Sequence, residues 1–117
     1  MNSEEFISAL RVSVRDASIS DAIKVIGDPP GRKISPEAKQ LSEWYKSLGS
    51  QERDFVARII TDAVDRAIFG FLCVLDGVRA IEGARDKGRL VLFYDRESRV
   101  LLNNPDDEYL HDIYNSG

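Results

Sequence analysis

The chain has 117 residues, 43% of them hydrophobic and 31% charged, with a formal net charge of −4. Those proportions exclude a disordered chain, which lacks the apolar content, and a membrane-spanning one, which needs long uncharged runs. A single cysteine and a single histidine exclude an internal disulfide framework, a cysteine-rich zinc site and any site needing two histidines. The acidic balance argues against nucleic-acid binding, which rests on neutralising phosphate.

The length suits one domain over residues 1–117, large enough to bury roughly two-thirds of its unfolded surface. The start, Met1-Asn2-Ser3-Glu4-Glu5, is acidic where a secretory signal is basic and then apolar. The longest apolar run, Ala67 to Leu75, has nine residues, against about 20 for a bilayer span. A lone free cysteine fits a reducing compartment. The expectation is a cytoplasmic chain with no membrane partner, no nucleic-acid partner and no cofactor.

The first segment runs from Ser3 to about Gly27. Phe6, Leu10 and Val14 recur every four residues with Ile7 beside them, which is one face of a helix. Ser3 serves as N-cap, and Glu4 and Glu5 occupy the first turn, where the helix dipole favours acids. Serines and β-branched residues between Val12 and Ile19 weaken the helix, which Ser20 or Asp21 restarts and Gly27 stops. Asp28-Pro29-Pro30-Gly31-Arg32-Lys33 is a connector; it lacks the spacing of a phosphate loop.

The second helix has clear punctuation: Ser35 caps it, Pro36 takes the first position and Glu37 follows. Leu41, Trp44, Tyr45 and Leu48 form its apolar stripe, and Gly49 ends it. Ser50 caps the third helix at once, so the two make a tight αα-hairpin. In the third helix Phe55, Ile59, Ala63, Ala67, Phe71, Val74 and Val78 hold one broad face, expected to be the buried one. Arg58, Thr61, Asp62, Asp65 and Arg66 lie on the far side. From Ala67 to Leu75 the helix is apolar all round, the pattern of a buried helix, so Phe69, Leu72 and Cys73 need a second cover.

Gly83, Asp86 and Gly88 mark a loop. Arg89 to Tyr94 and Arg99 to Leu102 read as two strands joined by Asp95-Arg96-Glu97-Ser98. A lone hairpin is marginal and must pack on helices, and this one is the natural cover for the second half of the third helix. After Asn103-Asn104-Pro105-Asp106 a short helix places Leu110, Ile113 and Tyr114 inward. The fold class is therefore α+β and helix-dominated: four or five helices, a long buried central helix, a C-terminal β-hairpin and a short terminal helix.

Chemistry has few candidates. Asp62 and Asp65 share a helix face and could hold a metal ion, although Arg58, Asp62 and Arg66 at i, i+4 spacing make a solvated salt ladder instead. Asp76 follows nine apolar residues: it is either a hydrogen-bonded acid at a helix end or a perturbed acid lining a pocket. His111 is the one candidate general base. It makes a dyad with Asp76 if the fold joins them; Asp112, adjacent in the chain, is a poor orienting partner. Cys73, inside the apolar run, reads as a small hydrophobe. Arg79, Arg85, Lys87 and Arg89 form a mild basic cluster interrupted by Glu82 and Asp86, too weak for nucleic acid.

Leu41-Ser42-Glu43-Trp44-Tyr45, Phe69-Gly70-Phe71-Leu72-Cys73-Val74-Leu75-Asp76-Gly77 and Leu110-His111-Asp112 together resemble a small family of uncharacterised bacterial proteins. That resemblance covers most of the chain and implies a bacterial cytosolic origin, with no activity and no catalytic residue to carry over.

Size, charge and the lack of a catalytic constellation point to a non-catalytic binding protein, for example of the toxin-immunity kind. The alternative is a small hydrolase-like enzyme using Asp76 and His111. The unbroken apolar strand Leu90-Val91-Leu92-Phe93 and the second face of the third helix leave surface without evident cover. They predict a protein partner or a homodimer through Phe69, Leu72, Leu90, Leu92 and Phe93.

Overall fold

A computed structural model describes residues 1–83 and 85–117. Asn2, rather than Ser3, opens the first helix. Its side chain accepts the Glu5 N–H at 2.8 Å while the Glu5 carboxylate accepts the Asn2 N–H at 3.2 Å, a reciprocal capping box. Helix α1 (Ser3–Leu10) then runs without a break through a π-helical stretch, Arg11–Asp16, into α2 (Ala17–Gly27). The serine- and β-branched-rich segment expected to weaken the helix keeps it, with a wider turn. π turns of this kind re-aim side chains, and here Arg11 and Arg15 reach the C-terminal helix and the central one.

Helix α3 (Pro36–Ser47) begins as its sequence dictates: Ser35 accepts the Ala38 N–H at 3.1 Å and Pro36 stands at the first position. Its inward residue is Ser42, whose hydroxyl donates to the Gly27 carbonyl at 3.2 Å; Leu41 and Trp44 of the expected stripe face solvent. Helix α4 (Ser50–Leu75) has 26 residues, about 39 Å of helix. It stops in a Schellman motif. The Val78 N–H reaches the Cys73 carbonyl at 3.0 Å and the Gly77 N–H the Val74 carbonyl at 3.1 Å, with Gly77 at φ +76°, a conformation open to glycine at little cost.

The two strands, β1 (Phe93–Asp95) and β2 (Arg99–Leu101), pair antiparallel with Phe93 opposite Leu101 and Tyr94 opposite Val100. They are shorter than expected because Asn103 takes the place of a strand. Its buried side chain accepts the Leu92 N–H at 2.9 Å and donates to the carbonyls of Leu90 at 2.9 Å and Leu75 at 2.7 Å. One amide thus ties the segment before β1 to the end of α4 and satisfies backbone groups a ladder would otherwise need to pair. Helix α5 (Leu110–Asn115) closes the chain. The fold is helix-dominated α+β with a long central helix, a C-terminal hairpin and a short terminal helix, as the sequence predicts.

The face that α4 buries is the reverse of the expected one. The core is Ile7, Leu72, Leu110 and Tyr114, with Phe6, Leu10, Ile68, Phe69, Leu75 and Ile113 packed around it. Leu72 is 1% exposed, whereas Phe55, Ile59 and Phe71 are 48%, 68% and 61% exposed and Val78 is also exposed. The cover for Phe69 and Leu72 is α1 and α5, not the hairpin. Periodicity located two apolar faces and could not rank them. The choice follows from α5, which is pinned to the end of α4 and brings Leu110 and Tyr114 onto the Leu72 side.

The molecule is extended for its length. Its radius of gyration is 18.5 Å and its principal extents are 51 × 34 × 30 Å, against about 13 Å for the radius of a compact 117-residue domain. Its accessible surface is 8558 Å², about 2,000 Å² more than the ~6,400 Å² of a compact monomer of 13.1 kDa.

Candidate functional site

Two polar clusters and one apolar surface stand out. The first cluster lies where α4 ends and α5 begins. The Asp76 carboxylate, its side chain 1% exposed, accepts the N–H of Leu110 at 3.1 Å and of His111 at 2.9 Å. It also lies 2.6 Å from Nδ1 of the His111 ring. A carboxylate accepting three donors places the proton on Nδ1. Asp76 therefore does the work of an N-cap from 34 residues away. The imidazole stands between Phe69, edge-on at 5.5 Å, and Tyr109, at 5.5 Å between centroids. Its Nε2 is 3.3 Å from Asp112 Oδ1, so Asp112, set aside on the sequence, approaches the ring after all.

The structure thus joins Asp76 and His111. As chemistry, the pair has an oriented imidazole. Among the described residues no hydroxyl or thiol hydrogen-bonds to Nε2, which faces Asp112. Cys73 is buried, and that burial pushes its thiol pKa up, away from the thiolate a nucleophile requires.

The second cluster joins the π turn, α4 and α5. Arg15 grips Asp65 with Nε at 2.7 Å from Oδ1 and Nη2 at 3.2 Å from Oδ2, and the Tyr114 hydroxyl donates to Asp65 Oδ1 at 2.5 Å. The Arg15 hydrogen bond holds the Asp65 carboxyl below its usual range, with the Tyr114 bond acting the same way. Burial, aided by Asp65, pushes Tyr114 up to about 12. Arg11 lies 4.7 Å from the centre of the Tyr114 ring and donates to the carbonyls of Ile113 and Tyr114 at the end of α5, where a helix favours a cation. Asp62 instead pairs with Arg66 at 2.8 Å in solvent. The two acids are therefore committed to different arginines, and Arg58 lies near the Phe55 ring. Among the described residues no group of three His, Cys, Asp or Glu side chains could hold a metal ion.

Sequence reading placed Tyr114 inward but did not mark Arg11, Arg15 or Asn103 as structural hubs. Arg15 and Asp65 are 50 residues apart, and no local spacing marks such a pair. The expected interface residues divide. Leu72 is core, Phe69 packs against it and Leu92 is half-buried, while Leu90 and Phe93 are exposed. Arg79, Lys87 and Arg89 line a hollow of about 740 Å³ below Val78 and Leu90 together with Glu82. The Glu82 carboxylate there accepts the Gly88 N–H.

The apolar surface is the outward side of α4. Phe55, Ile59, Ala63, Ala67 and Phe71 succeed one another at intervals of four and are all exposed. They form one ridge, flanked by Arg58, Asp62 and Arg66. The open surface beside it is formed by α4 residues alone, among them Phe55, Ile59, Arg58 and Asp62. No helix of the described residues is long and apolar enough to cross a membrane. No protein family, no curated protein and no solved structure matches the chain.

Proposed function

We propose that the chain is a small, non-catalytic protein-binding module of the bacterial cytoplasm. The observation that carries this reading is the exposed ridge on α4. Monomeric proteins rarely leave a long contiguous apolar surface in water, and such surfaces mark partner sites. The Asp76–His111 pair supports the reading from the other side: all three bonds to the carboxylate serve to seat α5.

A photo-activatable cross-linker in place of Ile59, irradiated in the host cytoplasm, tests the proposal. A discrete adduct from that position, with none from Glu37 on α3, is the expected result; no adduct overturns it. A second reading, hydrolase-like chemistry on the same pair, draws on the 2.6 Å contact. It requires ester or phosphoester turnover that His111→Gln abolishes while the chain stays folded.

A further inference from the structure

The open edge of the hairpin is complementary to itself, and we infer that a second copy of this chain pairs with it, β1 against β1, antiparallel about a two-fold axis at Leu92. The surface is separate from the α4 ridge, so the inference goes beyond the binding-module reading and stands or falls apart from it.

The backbone specifies the kind of occupant. The Leu102 N–H donates to the Leu92 carbonyl at 2.8 Å and the Arg96 N–H to the Ser98 carbonyl at 3.3 Å. The Leu90 carbonyl and the Leu92 N–H are taken by Asn103. Leu90, Leu92 and Arg96 thus turn peptide groups toward β2. Strand alternation turns those of Val91, Phe93 and Asp95 to the opposite edge, and among the described residues the sheet has no strand on that side. From Leu90 to Asp95 this edge is about 17 Å long. Val91 and Phe93 are 49% and 45% exposed, and no lysine or proline stands between Leu90 and Asp95 to blunt pairing. A row of free donors and acceptors at strand spacing is met by another extended backbone.

The side chains specify which strand. Arg89, Val91, Phe93 and Asp95 succeed one another on one face. An antiparallel neighbour that matches them presents, in its own chain order, a base, two apolar residues and an acid at every second position. β1 and the residues before it read in that order. Centred on Leu92, Arg89 stands opposite the partner's Asp95 and Val91 opposite the partner's Phe93, and each contact is repeated by the two-fold.

Unlike charges then lie in directly opposed pairs, about 5.5 Å between Cα atoms. The two copies of Arg89 are six residues apart along the pair, about 20 Å, as are the two copies of Asp95. A parallel pairing would bring each beside its own copy. Sliding by two residues sets Val91 opposite Asp95 in one direction and Arg89 opposite Phe93 in the other, so charge and apolar matching agree on one register. Arg89 gives one N–H to the Asn103 carbonyl at 3.1 Å and makes no ion pair among the described residues. Asp95, with Arg99 at 3.5 Å in solvent, comes to lie between two arginines. Of the residues expected at an interface, the pairing uses Leu90, Leu92 and Phe93, whereas Phe69 and Leu72 are already used by α1 and α5.

Sedimentation of the purified full chain between about 300 and about 3 micromolar tests this, because a pairing one strand wide is small for an interface and holds in the micromolar range. The expected species is twice 13.1 kDa at the upper end, giving way to the single chain on dilution. Val91→Pro removes a donor that faces the open edge and no bond of the hairpin. It should weaken association about tenfold or more, with the helical signal retained.

The register has its own test. Arg89→Glu and Asp95→Arg chains should each associate less than the native chain. A one-to-one mixture should restore the dimer, because the mixed pair opposes unlike charges at both ends. A monomer at every concentration overturns the inference. So does a native dimer that Val91→Pro leaves intact, or one that mixing does not restore. The Ile59 cross-linker reads the α4 ridge by itself, so its failure removes the binding-module reading and leaves the strand pairing standing.

Discussion

Replacing Asp76 isolates the contact that chose which face of α4 is buried. Its carboxylate receives two backbone N–H groups and one ring nitrogen within 3.1 Å. Asp76→Ala removes all three acceptor contacts and leaves the donors at the start of α5 with no protein partner. A buried donor left unpaired costs about 1–3 kcal/mol, and loss of a capping side chain costs about 1 kcal/mol. His111 lies near the surface, so water recovers part of the loss. The sum is about 3 kcal/mol, which for a chain of 117 residues is a fall in melting temperature of about 12 °C.

Urea denaturation followed by circular dichroism, at one protein concentration for all variants, measures it. Asp76→Asn, which keeps one acceptor oxygen, should lie between native and Asp76→Ala. Asp112→Asn, whose side chain is 59% exposed, should change little. A loss below about 1 kcal/mol for Asp76→Ala would refute the reasoning, because it would mean that α5 is seated by its apolar residues alone.

Leu72→Ala should cost about 3–5 kcal/mol, the range for a filled core site, while Phe71→Ala should cost less than about 1 kcal/mol because its ring is already in water. Denaturation of both at high dilution checks the pair, and the opposite ranking would restore the face the sequence favours. Asp62→Asn should leave the urea midpoint of the dilute chain unchanged, and calorimetry with calcium or magnesium should give no binding heat in the native chain or the variant.

The Asp65 cluster sets stability at both ends of the pH range. A carboxyl lowered by Arg15 contributes stability that is present above its ordinary unfolded pKa and lost as pH falls through the lower folded one. The native chain should therefore lose stability below about pH 4 faster than Asp65→Asn. A phenol raised to about 12 contributes stability that is full below its unfolded pKa of about 10 and lost as pH rises to the folded value. Tyr114→Phe should flatten that alkaline limb, and equal limbs would remove Tyr114 from the account.

What the sequence disclosed was local. Ser35 and Pro36 announced α3, and Leu110, Ile113 and Tyr114 a terminal helix turned inward. Each is a signal carried within a few residues. Asp76 and His111 were singled out for their residue types, yet only the fold brings them to 2.6 Å. The sequence did not disclose which side of an all-round apolar helix meets the core. Phe71 and Leu72 are equally hydrophobic neighbours, and their fates were decided by a carboxylate, an arginine pair and an asparagine acting across long stretches of chain. The strands were overestimated for a related reason. Leu90, Val91 and Leu92 look like a strand, but the Asn103 side chain takes the hydrogen bonds that a ladder would have used.

The most direct test of the central claim disrupts the ridge on α4 and reads the partner. In a chain carrying a photo-activatable cross-linker in place of Phe55, which is exposed on that ridge, the account predicts a discrete adduct in the cell that Ile59→Asp abolishes while the helical signal is retained. An adduct that survives Ile59→Asp unchanged would contradict the α4 binding face.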